Sequence, residues 1–458
     1  MNNSSSKTTK VLLAVVSLLL VCVLIIQALY IGGVFGKKDA ALPECSAADY
    51  SAVGSLSREG YQLEQVVVLS RHNIRSPLSG NGSVLGSITP HEWFSWSSNA
   101  SELSLRGGVL ETEMGQFFRK WLEYEGLFPD NYHPAENEVR IYANSKQRTI
   151  ATAEYFVSGL LPTANIPIET HMEYDKMDPV FTPQLTFVSP RYNNEVQSQI
   201  LELFSDDISS LSDNYELLSD VIDIEQSEAW ANSSVTELRT NDTEIILEQG
   251  KEPSMKGSLK TACSVSDALV LQYYEEPDPV KAAFGKELSI DQWKQISEIK
   301  DVYGDVLFTA PLVASNVANP LLMEIRSELT DDGRVFSFLC GHDSNVGSVL
   351  AALGAEPYSL PDAIEAKTPI GCKLVLCRWQ GSDGNTYITA DMVYQTVSQL
   401  RDAPILDLEC HPAIVPIHFS GITVKANDMY SEQDFMGLLE SSIAEYDMIT
   451  EAYSDLAA

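Results

Sequence analysis

"VVVLSRHNIRSP", residues 66–77, decides how the chain is read, because a nearly unbroken apolar run stops abruptly at Arg71, His72, Arg75 and Pro77. A continuous rather than alternating apolar run suggests a strand covered on both faces, as in an α/β sheet. Two other runs share this form: "VRIYANS" leads to Arg148, and "VFSFLC" leads to His342 and Asp343. Ligands of such sheets gather beyond the carboxyl ends of the strands, where all three polar groups project. Helical spacing follows. "RTIATAEYFVSGLLP" places Ile150, Ala153, Val157 and Leu160 near one face, and "SNVGSVLAALG" does the same with Val346, Val349, Leu350 and Leu353 before Gly354. The expected fold class is α/β, a core sheet with helices on both faces.

Three cations at one strand end repel each other unless an anion lies among them. A purely structural reading has the arginines neutralise carboxylates while His72 fills space. An oxyanion site accounts for more of the pattern: guanidinium forks match phosphate oxygens, and Pro77 with the Gly and Asn of "SGNGS" makes the following loop tight. Phosphate binding by itself does not need His72. A neutral imidazole beside an arginine-held phosphate attacks phosphorus and forms a phosphoenzyme. In "CGHDSNV", His342 is placed to donate to the equatorial oxygens, and Asp343 to protonate the leaving alcohol and then activate water. A helix start lowers the Asp343 pKa and a bound phosphate raises it, and an acidic pH optimum follows if the acid role limits the rate.

"RHNIRSP" and the distant "HDSN" resemble the motifs R-H-G-x-R-x-P and H-D of the histidine acid phosphatase family. The likeness covers nearly everything after the N-terminal apolar run that ends at Phe35. It is closest to the bacterial periplasmic glucose-1-phosphatase type, in "SRHNIRSPLSGNGSVL", "LRGGVLE", "YANSKQRTIATA", "MDPVFTP", "LQYYE" and "TPIGCKLV". The resemblance implies a histidine-phosphatase-like core, His72 as nucleophile and Asp343 as general acid. It implies Arg71, Arg75, Arg148 and His342 as the phosphoryl-binding groups. Asp178 of "MDPVF" and Glu275 of "LQYYEE" are substrate-pocket candidates because their segments are shared with the family; plain solvent exposure is the other reading of each. At the pocket mouth, Glu275 would repel polyphosphorylated substrates. Asn73 stands where the broad family has glycine; Asn tolerates a left-handed backbone, so the turn is expected to survive.

The expected activity is hydrolysis of small phosphomonoesters through a phosphohistidine, with sugar phosphates such as glucose 1-phosphate first and myo-inositol hexakisphosphate, as in related phytases, second. A non-catalytic phosphate-ester binding protein would need neither His72 nor Asp343. A phosphotransferase or mutase of the same superfamily would lack the Arg75 to Pro77 continuation. The mechanism requires no metal and no cofactor; His91, His133, His171, His411 and His418 show no H-x-x-x-H or H-x-H spacing. No G-x-S-x-G elbow supports a serine hydrolase.

With 30 Lys plus Arg against 64 Asp plus Glu, the formal charge of -34 repels nucleic acid and anionic lipid, so no nucleic-acid partner is expected. The uncharged run from Val11 to Phe35 covers the roughly 30 Å of bilayer hydrocarbon at about 1.5 Å per residue. It reads as an uncleaved signal anchor, with a long signal peptide cut near Ala40 or Ala41 as the other reading. Lysines flank it on both sides, so the positive-inside rule leaves its orientation open. The expected organisation is a cytoplasmic tail (1–10), a transmembrane anchor (11–35), a linker (36–60), a discontinuous α/β core (61–188 and 330–458) and a mainly helical insertion (189–329), with the catalytic part extracytoplasmic. Six cysteines beyond Cys22 leave disulfide connectivity open, but Cys372 and Cys377, on opposite faces of one strand, are too far apart to bridge. Oligomeric state is not legible.

Overall fold

The computed structural model describes residues 55–79 and 83–454. The expected tail and anchor, and most of the linker, lie outside these residues. Among the described residues no helix is long and apolar enough to cross a membrane.

Among the described residues ten strands form: β1 (Tyr61–Arg71), β2 (Val139–Ala143), β3 (Ile168–Glu169), β4 (Glu244–Ile246), β5 (Ser254–Lys256), β6 (Phe336–Gly341), β7 (Lys373–Gly381), β8 (Thr386–Tyr394), β9 (Ala413–Pro416) and β10 (Met429–Ser431). All but the β4–β5 hairpin join one mixed sheet of order β10-β8-β7-β1-β6-β2-β3, with β9 on β8. β1, β6, β2 and β3 run parallel, and β7 returns antiparallel along the other edge of β1.

The helices longer than four residues among the described residues are α1 (Leu105–Tyr124), α2 (Gln147–Leu160), α3 (Pro190–Ser210), α4 (Ser212–Val221), α5 (Ser258–Glu275), α6 (Ile290–Phe308), α7 (Pro311–Val317), α8 (Asn319–Thr330), α9 (Asp343–Ala352), α10 (Val397–Asp402) and α11 (Glu432–Ala452). The unbroken apolar run of β1 now has its cause. Val66 and Val68 pack with Phe118 of α1 and Phe156 of α2, while Val67 and Leu69 pack with Leu321 of α8, Val349 of α9 and Phe435 of α11. Both faces are buried, so polar alternation would be costly. Each such side chain contributes about 1.5–3 kcal/mol through burial, set against the entropy of ordering the chain. α3 to α7 enclose a third apolar cluster that includes Tyr192, Ile200, Leu269 and Trp293. The hairpin β4–β5 within this stretch has no distinct apolar signal in the sequence.

α1 and α2 meet at glycines. A Cβ on Gly115 would lie 2.1 Å from Phe156 O, and one on Gly159 would lie 2.1 Å from Thr112 O, so only glycine permits this approach. Cys372 and Cys377 fall in different clusters on opposite faces and are free thiols, as are Cys263 and Cys340. Cys410 is disulfide-bonded.

Candidate active site

Three parallel strands deliver the polar groups side by side. Arg71, the last residue of β1, is in register with Gly341 of β6, and Ala143 of β2 with Cys340. One residue further on, the His72 N–H donates to Gly341 O at 3.0 Å and the Asn144 N–H to Cys340 O at 2.9 Å. The His72 and His342 rings meet edge to face, with centroids 5.5 Å apart and planes at 73°. His72, Arg75, Arg148, His342 and Asp343 line one cavity of about 480 Å³.

His72 is oriented by its own chain. A carbonyl oxygen only accepts, so Nδ1, 2.9 Å from Asn73 O, carries the proton and Nε2 keeps its lone pair. Burial, reinforced by Arg148, His342, Arg75 and Arg71, holds the pKa well below 6.5, so the imidazole is neutral. Asn73 does not adopt positive φ; its side chain is what the turn uses. Asn73 Oδ1 accepts from the Ile74 N–H at 2.8 Å, and Nδ2 donates to Glu111 Oε2 at 2.8 Å. Glu111 in turn pairs with Lys373 at 2.8 Å, both side chains fully buried. Gly371, at φ +69°, permits this packing, because a Cβ there would lie 2.6 Å from Asn73 Nδ2.

Two of the three arginines carry carboxylate partners, as the purely structural reading has it, but those partners were not identifiable from the sequence. Arg71 lies behind the cavity, its NH1 2.5 Å from both Glu365 Oε1 and Thr368 O. Arg75 NH2 donates to Asp267 Oδ2 at 2.9 Å. Arg148 has only a 3.4 Å approach to His342 Nδ1, and burial followed by Arg75 lowers its pKa to about 10. On all three guanidinium groups the buried Nε has no hydrogen-bond partner. Arg75 and Arg148, with donors unmet, line the cavity beside a neutral imidazole, a set of groups suited to a tetrahedral oxyanion.

Asp343 opens α9, where Oδ1 accepts from the Ser344 N–H at 2.9 Å. Its Oδ2 lies 2.7 Å from Lys300 Nζ and 3.5 Å from Arg71 NH2. Burial opposes ionisation, but Lys300 and Arg71 outweigh it and hold the carboxyl well below its ordinary value. Burial and Arg71 likewise disfavour the Lys300 charge, yet Asp343, Glu365 and Asp267 raise its pKa above the usual lysine value. Lys300 and Asp267 were missed because they sit in amphipathic helices far from either motif, where a single charge carries no local signal. Glu365 stands just before "TPIGCKLV", the one hint available.

Neither weaker candidate faces the cavity. Asp178 is buried, with Oδ2 accepting from the Tyr142 hydroxyl at 2.9 Å and its N–H donating to Asn144 Oδ1 at 2.9 Å. Glu275 accepts from Ser104 Oγ at 3.0 Å, beside the N-cap of α1. Besides Asp343, the carboxylates on the cavity wall are Glu252, Asp267, Asp301 and Asp305. Burial pushes Asp301 up to about 7 and raises Glu252 as well.

Residues 62–390 match the model of the histidine phosphatase superfamily (branch 2). The glucose-1-phosphatase of Salmonella typhimurium strain LT2 is 39% identical over 374 residues, covering 81% of this chain and 90% of the relative. That of Providencia rettgeri is 37% identical over 389 residues, covering 84% and 92%. The structure of the phytase from Citrobacter braakii superposes with a TM-score of 0.75 at 26% identity, over 83% of this chain and 98% of that one.

Proposed function

This chain belongs to the histidine phosphatase superfamily (branch 2) and is a phosphomonoester hydrolase, and on that premise we propose that His72 is its nucleophile, Asp343 its proton donor and glucose 1-phosphate its preferred class of substrate. The observation that carries the reading is the neutral His72 with Nε2 free in the same cavity as Asp343.

Arg75, Arg148 and His342 hold the phosphoryl oxygens, and Arg71 adds positive charge from behind. His72 Nε2 attacks phosphorus, the P–O ester bond breaks, and the leaving oxygen takes the Asp343 proton. Water then attacks the phosphohistidine while the Asp343 carboxylate removes its proton. The P–N bond breaks and inorganic phosphate leaves. Lys300 and Arg71 keep Asp343 ionised in the resting site, so protonation requires low pH or the approach of a substrate dianion.

The wall supports a single-phosphate sugar. Two of its three lysines, Lys300 and Lys367, are committed to Asp343 at 2.7 Å and Asp305 at 3.5 Å, which leaves Lys260 as the one lysine for the additional phosphates of myo-inositol hexakisphosphate, on a wall that also carries Glu252, Asp301 and Asp305. Glu252 and Asp301, with raised pKa values, offer both donors and acceptors to sugar hydroxyls at acid pH. The Cys410 disulfide supports an extracytoplasmic location, with the run from Val11 to Phe35 as the membrane anchor.

The test is phosphate release by the purified full-length chain at about pH 5, a pH set by the Asp343 acid role, from glucose 1-phosphate and from myo-inositol hexakisphosphate, with His72→Ala alongside. Release from the sugar phosphate that disappears in the variant is the expected result. Preference for the inositol ester overturns the substrate, and turnover that survives His72→Ala overturns the nucleophile.

A further inference from the structure

We propose that Asn144 is a positioning residue that fixes the tautomer of His342. The proposal rests on the reading of His342 as a donor to a phosphoryl oxygen. It begins from an atom whose chemistry is not ambiguous. The Asp178 backbone N–H can only donate, and it lies 2.9 Å from Asn144 Oδ1, so that atom is the amide oxygen. The NH2 of the same amide must then face the other way, and Nδ2 lies 2.7 Å from His342 Nε2. A donor at that distance requires Nε2 to be the unprotonated ring nitrogen.

The single proton of a neutral imidazole is therefore on Nδ1. That nitrogen lines up with Arg148 NH2 at 3.4 Å. Two donors facing each other at this distance do not bond to one another; they suit one acceptor between them, such as an oxygen of the phosphoryl group. The opposite tautomer would turn a lone pair toward that oxygen and repel it.

The surroundings make the tautomer matter. Burial, Arg148, Arg75 and Lys146 all disfavour a charged His342, while Asp343 alone opposes them, and the His72 ring 5.5 Å away is itself neutral. With one proton available, its position decides whether His342 donates. The arrangement also gives Asp178 a use away from the cavity. Its N–H sets the amide, its carboxylate accepts from Tyr142 at 2.9 Å, and Thr149 Oγ1 holds the Asn144 carbonyl at 2.5 Å.

The experiment is a two-bond proton–nitrogen correlation spectrum of the histidines in the full chain, with His342 assigned by its absence in His342→Gln. The expected resting spectrum has Nδ1 protonated and Nε2 bare from about pH 5 to about pH 8, the range in which an ordinary histidine titrates. In Asn144→Asp the new carboxylate accepts from Nε2, so Nε2 gains a proton and the His342 pKa rises by about one to three units. The pH profile of kcat/KM then acquires a fall centred on that new pKa. A protonated Nε2 in the unmodified chain, or an Asn144→Asp spectrum identical to it, overturns the proposal. If Asn144→Asp does not fold, the unmodified spectrum still decides. The measurement needs no turnover, so a failure of the phosphohistidine reading, seen with His72→Ala, remains distinguishable from a failure of this one.

Discussion

Lys300 Nζ lies 2.7 Å from Asp343 Oδ2, so a lysine from α6 is ion-paired with the carboxyl that opens α9. Removing that cation in Lys300→Met raises the Asp343 pKa toward its ordinary value, and the proton-bearing form survives to higher pH. His72, whose pKa is already depressed, stays neutral across the same range. The alkaline limb of the kcat profile is therefore expected to move upward by about one unit or more. A limb that stays in place would show that Asp343 protonation does not set it.

The buried Glu111–Lys373 pair holds the turn that carries His72 through Asn73. Lys373→Met leaves a buried carboxylate unpaired, at a cost of roughly 3–5 kcal/mol, while Glu111→Gln with Lys373→Met costs less than the single change. Equilibrium denaturation measures both. In each variant kcat is expected to fall by a larger factor than KM rises, because the lost contact orients His72, the proposed nucleophile, rather than the substrate.

On the proposed reading Asp267 competes with the phosphoryl group for Arg75, from whose NH2 it accepts a hydrogen bond at 2.9 Å. Asp267→Asn removes the charge and keeps the size. Product inhibition by inorganic phosphate should tighten roughly tenfold, the order expected when a charge-assisted contact of about 1.5 kcal/mol is released to the ligand. An unchanged inhibition constant would mean that Arg75 does not touch the product.

Gly371 combines φ +69° with a Cβ position 2.6 Å from Asn73 Nδ2. Gly371→Ala is expected to lower stability by about 1–2 kcal/mol from the backbone alone and more from the clash. It should also lower kcat by displacing Asn73. Thermal unfolding and initial rates on one preparation check both effects.

The strands that carry the motifs were legible because burial on both faces imposes a long apolar run, as at Val66 to Leu69 and Phe336 to Leu339. Their polar sequels were legible because arginine, histidine and aspartate at a strand end have few other uses. Asp267, Lys300 and Glu365 were not, since each gains its meaning from a partner far away in sequence. Asn73 misled for a related reason: its side-chain contacts with Glu111 and Ile74, rather than its backbone freedom, are what the turn uses. Asp178 and Glu275 were drawn toward the pocket by their neighbours in sequence, whereas their hydrogen bonds point them at Tyr142 and Ser104.

Strand β1 is made early, but its neighbours are made late: Val66 pairs with Phe336 on one edge and Cys377 on the other. Contacts this remote in sequence slow folding and prolong the exposure of unpaired apolar edges. A nascent chain must therefore keep "VVVLS" from sticking to other chains until most of the polypeptide has been synthesised. The same delay means that no truncated product ending before β6 contains both His72 and Asp343. If these two residues carry the chemistry as proposed, hydrolysis begins only after most of the chain has been committed to one fold.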